Sequence, residues 1–293
     1  MRADQPSLTA IAVSFFRGIA ALPGARRDVG GDPLAHEVLP GSLAALLRVA
    51  ARVGPERARG RRALQALLAP LARHISLRTA AIDAIVERAC THDKVAQVVL
   101  LGAGLDMRAW RLQALQAASV WEVDHPATQR FKARKVEGRS PLASALRFVA
   151  VDFERERLED KLLAAGFDPH QPTLWLWEGV TPYLHPDATR ATLGTLRRLS
   201  APASRAIISY ALPGLVDLPP VLRPLLHGAF HLLGEPLRGA LPQGAFFALL
   251  GDEGWRVEEE HGARTWAGRA GVPPPTLCVQ ERLVLVTPML EAP

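Results

Sequence analysis

The sequence predicts an α/β protein built on an open, mostly parallel sheet of seven strands, with helices on both faces and a helical region in front of it. Three observations carry that expectation. From Val95 onward, short apolar runs alternate with stretches of helical spacing, the grammar of a parallel sheet covered by helices. The first such run, 98–101, is apolar throughout, as a strand buried on both faces must be, and it stops at the glycines Gly102 and Gly104. Twenty residues beyond Gly104, a second apolar strand ends on Asp124. A glycine turn at one strand end and an acid at the next is the layout of a nucleotide cleft, with the acid suited to ribose hydroxyls.

In chain order, residues 8–22 have helical spacing with Ser7 or Thr9 available as caps, and GGDPLAHEVLPGS is a turn leading into a short helix. The stretches SLAALLRVAARV, RRALQALLAPLARHISL and RTAAIDAIVERAC continue the helical pattern, with breaks expected at 54–59 and around Pro70. Residues 1–94 are therefore expected to form a helical cap on a core of 95–293. Strands are expected at 97–101, 120–123, 147–151, 173–177 and 205–209, with helices at 108–117, 126–137, 155–165 and 187–200. The segment 211–250 is rich in Pro and Gly around short apolar pieces and reads as an inserted lid. GWRVEEEHG and LCVQERLVLVTPM read as two last strands, paired as a hairpin.

Composition narrows the function classes. With 293 residues, 48% hydrophobic and 22% charged, the chain can bury a large core. The net charge of +6 comes from scattered arginines with few aromatics between them, which fits a mildly basic surface or a pocket for an acidic small molecule better than a nucleic-acid groove. Cys90 and Cys278 are too few for a disulfide framework or a zinc ribbon, so a cytoplasmic location with inert core thiols is expected. The apolar stretch near the start is interrupted by Arg17 and too short to span a bilayer, and it lacks a cleavage pattern. No membrane and no nucleic-acid partner are expected.

Several motifs, taken together, resemble the leucine carboxyl methyltransferase family, which includes polyketide-tailoring O-methyltransferases. They are TAIAVSFFRG with DPLA, the arginine of SLRTAAID, LGAGLDMRAWRL, WEVDHPATQRFKARK, VAVDF and LWLWEGVTPYL, in order from residue 9 to residue 184. The resemblance implies a Rossmann-like class I methyltransferase that uses S-adenosyl-L-methionine and releases S-adenosyl-L-homocysteine. It implies that Gly102 and Gly104 approach the methionine part of the cofactor and that Asp124 takes the ribose hydroxyls. Asp152 would accept from the adenine amino group with Phe153 beside the ring, Glu178 would be a further contact, and Arg78 would reach the cofactor carboxylate, as its forked donors suit. Arg17 matches a further basic contact more loosely, and Tyr183 matches a tyrosine lining the reaction centre.

Bland readings stand beside these. The GAG turn with Asp124 also fits an NAD-dependent oxidoreductase, although the full dinucleotide fingerprint wants a third glycine where this chain has Met107. A non-catalytic cofactor-binding protein is a further alternative. Asp106 reads as structural, tying the turn through side-chain to backbone bonds. Arg78 could be an ordinary surface ion pair and Tyr183 a packing residue. His227, His231 and Glu235 recur at four-residue spacing, but the intervening glycines and Pro236 disfavour one long helix, so no metal site is expected. The two histidines are candidates to orient or deprotonate a hydroxyl acceptor. The expected reaction is methyl transfer to a carboxylate or acidic hydroxyl of a small molecule, with a protein C-terminal carboxylate the less favoured acceptor.

Overall fold

In the computed structural model, which describes residues 6–23, 31–52, 58–152, 155–216, 237–275 and 279–289, the seven expected strands are present. They are β1 (Gln97–Leu101), β2 (Ser119–Asp124), β3 (Ala145–Ala150), β4 (Thr173–Trp177), β5 (Arg205–Val216), β6 (Trp255–Gly262) and β7 (Val279–Pro288). Their order is β3-β2-β1-β4-β5-β7-β6. The first five run parallel, and β7 lies antiparallel between β5 and β6. The order reverses between β1 and β4, so the carboxyl ends of these strands open a crevice there.

Helices follow the local chemistry. In α1 (Leu8–Ala20), the Ser7 hydroxyl accepts from the Ala10 N–H at 3.0 Å and caps the helix. Both α6 (Pro126–Lys135) and α8 (Pro186–Arg198) begin with His-Pro, the ring nitrogen of His125 or His185 capping and the proline at the first helical position, where its missing N–H costs nothing. Between them in chain order lies α7 (Leu158–Ala164), and before them come α2 (Ala35–Val38), α3 (Gly41–Arg52) and α4 (Ala58–Thr91). The helix expected over 108–117 is split into α5 (Arg108–Arg111) and a 3-10 turn, Gln113–Ala117. Two more helices, α9 (Gln243–Asp252) and α10 (Ala263–Arg269), flank β6.

Two expectations need correction. The break around Pro70 does not occur, because α4 runs through it unbroken. A mid-helix proline costs about 3 kcal/mol. Burial of Ile75, Leu77, Ile82 and Val86 further along the same helix offsets it, at roughly 1.5–3 kcal/mol per side chain. Of the break expected at 54–59, residues 53–57 lie outside the described residues, and Ala58 already begins the helix. The stretch 211–250 likewise begins as strand and ends as helix. Ala211 pairs with Glu281, and Pro213 and Gly214 fall in a register irregularity between Ala211 and Val216, where neither residue breaks a ladder. At the other end, α9 stacks Phe246 on Tyr210 with ring centroids 4.2 Å apart. Residues 217–236, with His227, His231 and Glu235, lie outside the described residues.

The two faces of the sheet bury different sets. Val98, Leu100, Leu174, Leu176, Ile207 and Leu283 face a core shared with α1 and α4, whereas Val99, Leu101, Trp175, Trp177, Ile208 and Val284 face the core beneath α7, α8 and α9. Among the described residues, no helix is long and apolar enough to cross a membrane. Burial pushes the Cys90 thiol up to about 11, away from the thiolate form.

Candidate active site

The carboxyl edge of the central strands is where most of the predicted residues that the structure describes stand. The chain leaves β1 through Gly102 (φ 64°) and Gly104 (φ 53°), both in the left-handed region that favours glycine. A Cβ on Gly102 would meet the Val180 side chain at 2.3 Å, so the turn admits no side chain there. The Gly104 N–H donates to Asp124 Oδ2 at 2.6 Å, and the His125 N–H donates to Oδ1 at 2.7 Å. Burial raises the Asp124 carboxyl above its ordinary value, and these two backbone donors oppose the rise.

Glu178, the residue after β4, is the hub of a buried arginine cluster. Its Oε1 accepts from Arg17 Nη2 and Arg78 Nε, each at 2.8 Å, and its Oε2 accepts from Arg108 Nη1 at 2.8 Å. Burial alone would raise this carboxyl, but the charges of Arg17, Arg108 and Arg78 hold it well below the usual range. Arg17 also reaches Asp106 Oδ2 at 3.1 Å, linking α1 to the glycine turn and to Glu178 at once. Asp106 does tie the turn, its Oδ1 accepting from the Arg108 N–H at 2.7 Å, and it pairs with the Arg108 guanidinium too. Against burial, Arg108 and Arg17 hold its carboxyl near 2.

The cluster extends beyond the predicted residues. Glu281, on β7, accepts from Arg78 Nη1 on both oxygens, at 2.7 and 2.8 Å, and contacts His74 Nε2 at 2.9 Å. Asp83 takes Arg108 Nε and Arg111 Nη1, each at 2.6 Å, and Asp32 of the DPLA motif lies 3.5 Å from Arg111 Nε. Arg108, Arg111 and Asp32 lie inside quoted motifs but carry no expected role. Glu281, His74 and Asp83 lie outside the motifs or were passed over within them.

The structure thus joins Arg17, Arg78 and Glu178 directly, and Gly104 to Asp124. Asp152 follows β3, half-buried, with Arg155 at 3.7 Å. Tyr183 is half-buried in the 3-10 turn Thr181–Tyr183, just beyond Glu178. Phe153, like His227 and His231, lies outside the described residues.

Fold and edge together define a class: a doubly wound sheet with a glycine turn, a strand-end acid bonded to it and an arginine cluster at its switch point. Residues 10–197 match the leucine carboxyl methyltransferase family, well over half of the chain, and the chain belongs to that family. A relative from Saccharopolyspora erythraea is 37% identical over 196 residues, covering 64% of this chain and 65% of the relative. One from Mycobacterium marinum is 43% identical over 140 residues, covering 47% of this chain and 42% of the relative. Both carry the provisional description of S-adenosyl-L-methionine-dependent methyltransferase. The matched stretch is thus less than two thirds of each of these relatives. Among solved structures, a provisionally assigned methyltransferase from Thermobifida fusca superposes with a TM-score of 0.63 at 16% identity, over 99% of this chain and 97% of the other. A DUF574 family protein from Streptomyces avermitilis gives 0.59 at 12% identity, over 94% of this chain and 97% of the other. The fold is the Rossmann-like fold of the class I methyltransferases.

Proposed function

We propose that the chain is an S-adenosyl-L-methionine-dependent O-methyltransferase acting on a small acidic molecule, with a carboxylate as the first-choice acceptor. The observation that carries the cofactor part of this reading is the composition of the switch-point edge. There the glycine turn is hydrogen-bonded to Asp124 beside a cluster in which Arg17, Arg78, Arg108 and Arg111 face Asp32, Asp83, Asp106, Glu178 and Glu281. That set has one carboxylate more than it has guanidiniums, before Asp124 is added. Such an edge suits a ligand of net positive charge, which the sulfonium and amine give S-adenosyl-L-methionine, and disfavours the diphosphate of NAD.

The donor set fits the cofactor part by part. Each Asp124 oxygen accepts one backbone N–H and keeps a lone pair for a ribose hydroxyl. Gly102 and Gly104 allow close approach of the ligand to the backbone, and Arg78 is assigned to the amino-acid carboxylate. Arg17 and Glu178 act chiefly by holding Arg78 in place. By family resemblance, Asp152 and Phe153 are assigned to the adenine and Tyr183 to the reaction centre. The bound cofactor supplies a methyl group on an already electrophilic sulfonium. The remaining tasks for the chain are to orient the acceptor oxygen and exclude water. A carboxylate is ionised at neutral pH and needs no base, whereas a phenol or alcohol would draw on His227 or His231.

The test is binding followed by transfer. The protein is expected to bind S-adenosyl-L-homocysteine and not NADH by calorimetry, and to move a labelled methyl group to small carboxylic acids. Label in a methyl ester is released as methanol by mild alkali; label in an aryl ether is not. Binding of NADH without S-adenosyl-L-homocysteine would overturn the activity, and alkali-stable product would overturn the carboxylate acceptor alone.

A further inference from the structure

Glu281 enters that reading only as part of the edge's charge and His74 not at all, yet Glu281, with His74 behind it, holds the cation on which the reading depends. Because β7 runs against its neighbours, residues near its start stand at the carboxyl edge of the parallel strands, and Glu281 pairs there with Ala211. It is 5% exposed and grips Arg78 Nη1 with both oxygens. Behind it, His74 is 1% exposed and leans on the Trp266 ring, with centroids 5.6 Å apart. A carboxylate only accepts, so His74 Nε2 is the donor to Glu281, while the buried Nδ1 has no hydrogen-bond partner among the described residues.

Arg78 is thereby fixed from two directions, Nε by Glu178 and Nη1 by Glu281. Two held nitrogens, with the side chain's own carbon stem as the third point, fix the plane of a rigid guanidinium. The third, Nη2, lies beside the turn at Gly179, 3.7 Å from where a Cβ would stand, and the next residue, Val180, covers Gly102. Without Glu281, the fork is free to swing a second nitrogen onto Glu178.

We propose that Glu281, backed by His74, is a positioning residue that fixes the Arg78 plane and presents Nη2 to the carboxylate of the cofactor's amino-acid part. This rests on the cofactor reading above. The test compares two probes by calorimetry: S-adenosyl-L-homocysteine, and 5′-methylthioadenosine, which lacks the amino-acid part. Glu281→Gln is expected to weaken S-adenosyl-L-homocysteine by about tenfold or more, the scale of one charge-assisted hydrogen bond. Binding of 5′-methylthioadenosine should stay within about twofold, which also reports an intact fold. In an Arg78→Met background, Glu281→Gln should add nothing, since its effect passes through Arg78. If Glu281→Gln does not fold, Glu281→Asp, which keeps the charge but withdraws it by one methylene, carries the same comparison.

Equal weakening of both probes, additive losses in the double variant, or unchanged or tighter S-adenosyl-L-homocysteine binding would each overturn the inference while leaving the cofactor reading intact. Failure of the unaltered protein to bind either probe would overturn both.

Discussion

The face of the sheet covered by α1 and α4 and the face covered by α7, α8 and α9 are both buried, but by opposite chemistry. Near the carboxyl edge, the first face is a lattice of ion pairs in which Glu178 alone receives three guanidiniums. The second is dry and aromatic, with Trp121, Phe167 and Trp175 packed ring against ring and Trp177 and Trp255 buried nearby. Removing a group from the first face unbalances a buried charge network; removing one from the second leaves a void. Both cost stability, but only the first carries the groups assigned to the ligand.

Glu178→Ala should break this contrast most severely. It takes one carboxylate from three buried arginines at once, leaving Arg17 to Asp106, Arg78 to Glu281 and Arg108 to Asp106 and Asp83, and loss of one partner from a buried pair costs about 3–5 kcal/mol. Urea denaturation should show that loss, and S-adenosyl-L-homocysteine binding should vanish with it. On the other face, Trp175→Ala should cost a comparable amount, about 3–5 kcal/mol, through the cavity it opens. Affinity for S-adenosyl-L-homocysteine, measured where the variant is folded, should be unchanged; a parallel loss of affinity would mean that the faces are not independent.

Acid should act on the ion-paired face first. The Glu281 carboxyl sits near 2 because Arg78 and His74 outweigh burial, against an ordinary 4.5. Its folded value is depressed, so its contribution is present above pH 4.5 and is lost as pH falls through 2. At 1.36 kcal/mol per unit it is on the order of 3 kcal/mol. Glu122, buried against Lys132, runs the other way: burial raises it to about 7, so its contribution is present below pH 4.5 and is lost as pH rises through 7. Chemical denaturation across pH 2–8 should show both slopes, and Glu122→Gln should flatten only the upper one. The smallest effect is expected outside both cores. Val49 on α3 is 61% exposed, and Val49→Lys should shift stability by no more than about 0.5 kcal/mol in a thermal melt.

The strands were legible because a run such as 98–101 must be apolar to be buried on two faces, and the turn because few residues besides glycine accept its backbone angles. The placement of Asp124 and Glu178 was legible because parallel strands deliver the residues at their ends to one carboxyl edge. The same rule hid Glu281. An antiparallel strand delivers its first residues to that edge, so an acid at the start of a strand looks like solvent-facing polarity. Arg108 was hidden differently, since one charged residue on a short helix reads as surface, and only tertiary packing reveals it to be 1% exposed. Pro70 misled in the opposite direction, a strong local signal overridden by the packing of the helix that contains it. Pro213 and Gly214 misled too, because a bulge tolerates the residues that usually end a strand.

The Arg78–Glu281 contact spans 203 residues of chain. During synthesis the helices bearing Arg17 and Arg78 leave the ribosome early, but Val279–Pro288 is translated after every other described element. Until then, among the described residues, Arg78 has only Glu178 to answer it, and closing so long a loop is an entropic cost met late. A nascent chain that already carries the glycine turn and every parallel strand would still hold this cation half-tethered, so binding competence should arrive with the final strand and not grow gradually as the domain emerges.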